Sequence, residues 1–350
     1  MTERDGGWAW AVWALAPLSL LWRCWGATRR FLYENDIVGR TRIPSVMVSV
    51  GNIEMGGVGK TPVTIWIADR LSRLGIRTAI VARNLSVRKG PPVAVLPGHS
   101  SGGIPISDEA LMMSARLHPK CRVFAGPNKT KTALRAFHEV SPQVIIIDDG
   151  FQHFRVHRDL DVVVLNASHP FGRGGVFPMG SLREPPSVIS RADFLWLNRV
   201  TSGVSEKLAR KLSAQRNWKA PFIASRLVPL TPLEPDGSEG VPCEVIAFAG
   251  IGTPASFRDT LDEAGFTVRG FYEFPDHWNY TPEDCDTLLE ALRSSTAHRL
   301  ATTEKDAARL GRKGMRVLNP LVLPVTLSVD EAGEELLGII LDLVEKKGLR

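Results

Sequence analysis

Cysteine is scarce in this 350-residue chain. The four present, Cys24, Cys121, Cys243 and Cys285, are scattered with no pair at metal-ligand spacing, so neither a zinc site nor a disulfide framework is expected, and a reducing compartment fits. Internal repeats and low-complexity tracts are absent, so neither a solenoid nor a disordered tail is expected. No RNA- or DNA-binding motif accompanies the modest basic excess, and nucleic acid is not expected as a partner. A secretory leader is not expected either: Glu3 and Asp5 stand at the start, and the basic cluster Arg23, Arg29, Arg30 follows the apolar run instead of preceding it. That run, Trp8 to Trp22, is interrupted by Pro17 and Ser19 and falls short of the ~20 apolar residues a spanning helix needs.

What is present is a folding composition, 44% apolar and 23% charged, with 43 basic against 37 acidic residues. This balance suits anionic partners such as phospholipid headgroups or nucleotides without choosing among them. Five of the nine tryptophans (Trp8, Trp10, Trp13, Trp22, Trp25) gather near the start. Tryptophan at headgroup depth with arginine on anionic lipid describes a helix lying on the membrane, and a helix packed on the protein's own core remains the alternative.

From residue 45 the pattern is strand, glycine-rich turn, helix, strand. Ser45–Val50 and Thr78–Val81 read as strands flanking a helix over Pro62–Leu74, and Arg122–Ala125, Gln143–Ile147, Asp161–Leu165 and Phe194–Leu197 continue the series. Their unbroken apolar runs suit strands buried on both faces, as in a mostly parallel α/β sheet. Pro, Gly, Asp, Glu and Ser dominate from Leu227 to Pro242 and mark a linker. Beyond it come strands Val245–Ala249, His298–Thr302 and Leu321–Leu327, then a helix Glu331–Lys346. The expected organisation is a membrane-associated segment (1–30), a P-loop NTPase-like domain (31–226) and a smaller α/β domain (227–350) that completes the active-site cleft.

Gly56-Gly57-Val58-Gly59-Lys60-Thr61 follows a strand and opens a helix, the context a phosphate-binding loop requires. Glycines let backbone N–H groups face phosphate, Lys60 reaches the terminal oxygens and the Thr61 hydroxyl ligates Mg²⁺, so ATP with Mg²⁺ is the expected cofactor pair, held by Glu54, Met55 and the loop that follows them. Glu54 stands where the general pattern has its first glycine. The run Gln143 to Asp148-Asp149-Gly150 has the form of the second NTPase element, an apolar strand ending in acids that hold the metal. By itself it is equally a turn.

Together with Gly51-Asn52, the loop from Gly56 to Pro62, and Asp148 to His153, the blocks Phe171-Gly172, Leu182 to Pro185, Ala249 to Gly252, Phe274 to His277 and Thr303 to Asp306 resemble the tetraacyldisaccharide 4′-kinases, the lipid A 4′-kinases. That family also lacks the first loop glycine. The resemblance implies transfer of the ATP γ-phosphate to the 4′-hydroxyl of a tetraacylated glucosamine disaccharide 1-phosphate, giving lipid IVA at the cytoplasmic face of the inner membrane, with the protein peripheral on anionic phospholipid. It implies Asp108 as base partnered by His277, and Arg83, Glu109, Gln152, Arg183 and Glu184 around the substrate. Thr61, Asp148 and Asp149 fall to the metal. Asp108-Glu109 alone would read as a solvated helix start, His277 as a loop residue, and Arg183-Glu184 as a surface ion pair.

The family's Ser-Arg-Gly-Tyr-Gly-Arg segment stands here as Ala82 to Val87 and keeps only Arg83, with Asn84 expected to take over a left-handed glycine conformation. Ser107, Ala110 and Lys129 replace a family glycine, proline and arginine. The competing reading is a membrane-surface NTPase that couples hydrolysis to assembly or metal delivery, which would not need Asp108.

Overall fold

The computed structural model describes residues 14–84, 86–97, 99–100, 104–172, 174–200 and 221–349. Leu85 and the first part of the tryptophan-rich segment, with Trp8, Trp10 and Trp13, lie outside them. Two compact units form: Met1–Ala82 with Asn128–Arg226 and Val329–Arg350, and Arg83–Pro127 with Leu227–Ser328.

The first unit opens with helix α1 (Ala16–Glu34), then β1 (Val46–Gly51), α2 (Lys60–Arg73) and β2 (Thr78–Arg83). The second unit takes up the chain for β3 (Val93–Leu96), α3 (Asp108–Leu117) and β4 (Arg122–Gly126). Back in the first unit come α4 (Lys129–Val140), β5 (Val144–Asp148), β6 (Leu160–Asn166), a 3₁₀ turn (Pro186–Arg191), β7 (Phe194–Asn198) and β8 (Phe222–Pro229). The second unit continues with β9 (Glu244–Ala249), α5 (Pro254–Glu263), β10 (Thr267–Glu273), α6 (Pro282–Arg293), β11 (Arg299–Thr303), α7 (Glu304–Leu318), β12 (Leu321–Leu323) and β13 (Val325–Val329), and α8 (Ala332–Lys346) returns to the first.

In the first unit six strands run parallel in the order β8-β7-β6-β1-β5-β2, with register pairs Val46 to Val144, Val48 to Leu160, Thr78 to Val144, Val162 to Phe194 and Leu195 to Phe222. The mixed α/β class expected from the sequence is what forms. Val46, Val48, Val144, Ile145, Ile146, Val162 and Val163 have no exposed surface, and burying each such side chain contributes about 1.5–3 kcal/mol. The chain passes from β1 to β2 on one side and enters β6 on the other, so the crevice at the carboxyl ends of β1 and β5 is the sheet's switch point, where open α/β sheets take ligands.

The second unit holds a parallel sheet in the order β10-β9-β11-β12 and an antiparallel pair, β3 with β4. The single strand expected over Leu321–Leu327 is two, β12 and β13, broken at Pro324. Proline has no N–H to offer a ladder, while its carbonyl accepts from the Leu230 amide at 2.9 Å.

Helix α1 lies against the first unit through Ser19 Oγ, which donates to the Val176 carbonyl at 2.7 Å, and Trp22, whose Nε1 donates to the Arg183 carbonyl at 2.9 Å and whose ring meets Phe177 edge-on. Its other face leaves Leu18, Leu20, Leu21, Trp25 and Phe31 more than half exposed. Among the described residues no helix is long and apolar enough to cross a membrane.

Candidate functional site

The loop between β1 and α2 ends at Gly59, which caps α2 in the left-handed conformation (φ 86°, ψ 31°). No side chain caps this helix and its first turn has no acidic residue, so the orphan amides and the positive end of the helix dipole are left for an anion. A Cβ at Gly56 or Gly57 would meet nothing within 4 Å, so the loop has open room above it. From behind, Asn198 at the end of β7 pins the loop: its Nδ2 donates to the carbonyls of Val58 (3.2 Å) and Gly59 (3.4 Å).

The front of the loop is held by a second strand-like contact. The Met55 amide donates to the Ser181 carbonyl and the Arg183 amide to the Ile53 carbonyl, both at 2.7 Å. Glu54, in place of the usual glycine, accepts from Ser181 Oγ at 3.1 Å. Gly172 (φ 52°) leaves the room that Glu54 occupies, since a Cβ there would fall 2.0 Å from Glu54 Oε1. This accounts for the Phe171-Gly172 block.

Asp148 and Asp149 follow at the carboxyl end of β5 and face different partners. Thr64 Oγ1 on α2 donates to Asp148 Oδ1 at 3.1 Å, while Lys60 Nζ lies 3.4 Å from Asp149 Oδ1. Arg183 Nη1 reaches both Asp149 oxygens at 2.9 Å, and Lys129, itself buried, donates to the Asp149 carbonyl. Burial pushes the Asp149 carboxyl up, but the charges of Lys60, Lys129 and Arg183 outweigh it and hold the group well below the usual carboxylate range. Thr61 sits half-buried in the first turn of α2.

Arg183 and Glu184 do not pair with each other. Glu184 is buried and bound by Arg191 Nη2 (3.0 and 3.2 Å), whose guanidinium lies 4.3 Å over the Phe151 ring. Gln152 Nε2 donates to the Asn52 carbonyl (2.8 Å) and to Glu184 Oε2 (3.2 Å). Gln152 Oε1 and Asn52 Oδ1 are buried with no hydrogen-bond partner among the described residues, two acceptors that suit a ligand's hydroxyl donors.

The second unit carries the other set. Asp108 is the first residue of α3, and its Oδ2 lies 3.3 Å from Nδ1 of His277, a residue held at φ 61° after β10. Arg309 joins them, with Nε 2.7 Å from Asp108 Oδ2 and Nη2 3.2 Å from His277 Nδ1. Burial raises the Asp108 carboxyl, and the hydrogen bond and charge of Arg309, with the charges of His277 and Lys305, more than reverse this, leaving it below the usual range. Glu109 lies 3.8 Å from Lys305 Nζ. Donor atoms of Asp108, Glu109 and His277 come within 4.8 Å of one another.

Arg83 closes β2 with an exposed side chain, and its carbonyl accepts from Ser107 Oγ at 3.2 Å. Asn84 corrects an expectation, because it is not among the residues with positive φ. It is buried and spends its side chain on local bonds, donating to the Pro105 carbonyl (2.8 Å) and accepting from the Ser86 amide (3.2 Å), so no left-handed turn is called for. Sequence reasoning passed over Arg309, Asn198 and Arg191. For Arg309 the signal was available, since it stands three residues after Asp306, where a helix brings acid and base together.

The sequence profile described as tetraacyldisaccharide-1-P 4′-kinase matches residues 11–343. A tetraacyldisaccharide 4′-kinase of Anaeromyxobacter sp. is 34% identical over 348 residues, 95% of this chain and 92% of its own. That of Chlorobaculum parvum is 35% identical over 313 residues, 86% and 84% respectively. A crystal structure of LpxK from Aquifex aeolicus in complex with ATP superposes with a TM-score of 0.71 at 28% identity, covering 95% of this chain and 99% of that one. The chain belongs to the tetraacyldisaccharide-1-P 4′-kinase family.

Proposed function

We propose that the protein transfers the γ-phosphate of ATP to the 4′-hydroxyl of tetraacyldisaccharide 1-phosphate, giving lipid IVA in lipid A biosynthesis. Beyond family membership, one observation carries this reading: a carboxylate, Asp108, stands beside His277 with its charge held by Arg309. An alcohol must lose a proton as it attacks phosphorus, and a placed carboxylate takes it.

ATP is held by the loop from Glu54 to Thr61, its phosphates on the uncapped amides of α2 and its terminal oxygens on Lys60. Mg²⁺ fits the oxygen donors of Thr61, Asp148 and Asp149. When bound, the ion neutralises phosphate charge. Lys60, 3.4 Å from Asp149 Oδ1, is the side-chain cation at the phosphates. The buried acceptors of Gln152 and Asn52, with Glu184 and Glu109, take hydroxyls of the sugar, and Arg83 and Arg183 take its anionic groups.

In chain order, residues 1–30 serve membrane association, 31–226 the kinase region and 227–350 the second α/β region. The protein rests on anionic phospholipid at the cytoplasmic face of the inner membrane through the exposed apolar face of α1. The test is incubation of the purified chain with labelled ATP and detergent-dispersed disaccharide 1-phosphate. A bisphosphorylated lipid on chromatography supports the proposal; phosphate released to water with no lipid product refutes it.

A further inference from the structure

Three sequence blocks whose purpose is not evident from chemistry alone converge on one side chain of the second unit. Arg309 is almost wholly enclosed, its side chain 4% exposed. Its Nη1 donates to the Gly250 carbonyl and to Asp306 Oδ1 at 3.1 Å. Asp306, with no exposed surface, also accepts from the Gly250 amide (3.1 Å), Tyr280 Oη (2.9 Å) and Thr303 Oγ1 (2.6 Å). The blocks Ala249–Gly252 and Thr303–Asp306, with Tyr280, thus build a socket for this guanidinium. From the socket it reaches out to Asp108 and His277.

We propose that Arg309 is the positioning residue of the transfer step, fixing Asp108 by one carboxylate oxygen and setting which nitrogen of His277 carries the proton. The inference rests on the functional reading above. The hydrogen bonds of the Asp108 carboxylate to His277 and Arg309 both fall on Oδ2, which leaves Oδ1 as the oxygen for the acceptor. Arginine is always a donor. When His277 is neutral, its Nδ1 accepts from Arg309 Nη2 and the proton sits on Nε2, so Asp108 and His277 are joined through the guanidinium and not to each other. The His277-to-Asp108 hydrogen bond forms only with a proton on Nδ1, and Arg309 competes with it. In the transfer, the acceptor O–H bond breaks and its proton goes to Asp108 Oδ1. The new O–P bond forms as the bond from the γ-phosphorus to the β–γ bridging oxygen breaks, and ADP leaves with that electron pair.

A purely structural arginine would instead serve only to neutralise buried Asp306, and two variants separate the roles. Arg309→Lys keeps a cation for Asp306 but cannot span Asp108 and His277 together; Arg309→Gln removes the charge. Both are compared with Asp108→Asn in kcat, in KM for each substrate, in ADP binding as a check of the first unit, and in the pH dependence of kcat/KM. Asp108 is faced by Arg309 and Lys305 on α7, by His277 after β10 and by Glu109 on its own helix, and only the first changes. We expect kcat to fall ~10²-fold in Arg309→Gln and ~10-fold in Arg309→Lys, within the range of lost preorganised contacts, with KM for ATP within about threefold of the parent. The acid limb should move to higher pH, because Asp108 loses the cation that keeps it ionised. If Arg309→Gln does not fold, Arg309→Lys alone decides. A folded Lys variant with parental kcat and pH profile, beside a damaging Asp108→Asn, overturns the inference and leaves the functional reading standing. A silent Asp108→Asn overturns both.

Discussion

Lys60 Nζ rests 3.4 Å from Asp149 Oδ1. Lys60 thus shares Asp149 with Arg183 and Lys129, so removing it leaves Asp149 still paired. Lys60→Ala should fold normally and lose transfer by at least ~10²-fold, the usual effect of deleting a preorganised electrostatic contact. Steady-state kinetics beside a melting curve checks this; activity within a few-fold of the parent would remove the loop from the chemistry.

Gly59 has a second constraint besides its positive φ, since a Cβ there would lie 1.9 Å from Asn198 Nδ2. Gly59→Ala should move the loop and weaken ATP binding by up to ~10²-fold, as a displacement of about 1 Å can. Asn198→Ala in the same chain should recover part of the loss, because it removes the clash. Calorimetric ATP titration of the singles and the double reads the coupling, and strictly additive losses would mean that the two residues do not act on each other.

His153, in the segment that follows Asp149, is lowered to about 3 by burial first and by the neighbouring charges of Lys129, Arg158, Arg29 and Arg155. Its partner is Thr130 Oγ1, 3.1 Å from Nε2. Between its ordinary value of about 6.5 and 3 the unfolded chain binds a proton the folded one does not, so stability falls with falling pH by about 1.4 kcal/mol per unit from this group. His153→Gln should flatten that part of the slope. Urea midpoints measured from pH 7 down to 4 in both proteins test it, and parallel curves would show that His153 titrates in the fold.

The exposed apolar row on α1 predicts that Leu20→Ser, Leu21→Ser and Trp25→Ser together release the protein from vesicles of anionic phospholipid while Ser19 and Trp22 keep the helix docked. Co-flotation measures this. Parental flotation of the triple variant at high salt would place the lipid contact elsewhere.

The frame of the first unit was legible because apolar runs such as Gln143–Ile147 admit only a strand buried on both faces, and β5 is that strand shifted by one residue at each end. The glycine-rich loop before Lys60 was legible as a strand-to-helix connection, and Gly59 caps the helix there. Asn84 was misread because its side chain finds bonds to Pro105 and Ser86 that arise only once a distant loop has folded beside it. For the same reason the sequence did not announce that Arg83–Pro127 cluster with the residues beyond Leu227. Arg309 stayed hidden because its role depends on contacts of high sequence separation, 201 positions to Asp108 and 59 to Gly250. Local patterns report local partners.

The central claim is that the terminal phosphate goes to one sugar hydroxyl and not to water. The most direct measurement supplies the purified chain with labelled ATP and either the tetraacyldisaccharide 1-phosphate or its 4′-deoxy analogue, and follows label in lipid and in free phosphate. The account predicts labelled lipid with the parent acceptor, and with the analogue neither labelled lipid nor appreciable phosphate release. ATP turnover with the 4′-deoxy analogue as fast as with the parent acceptor would contradict it.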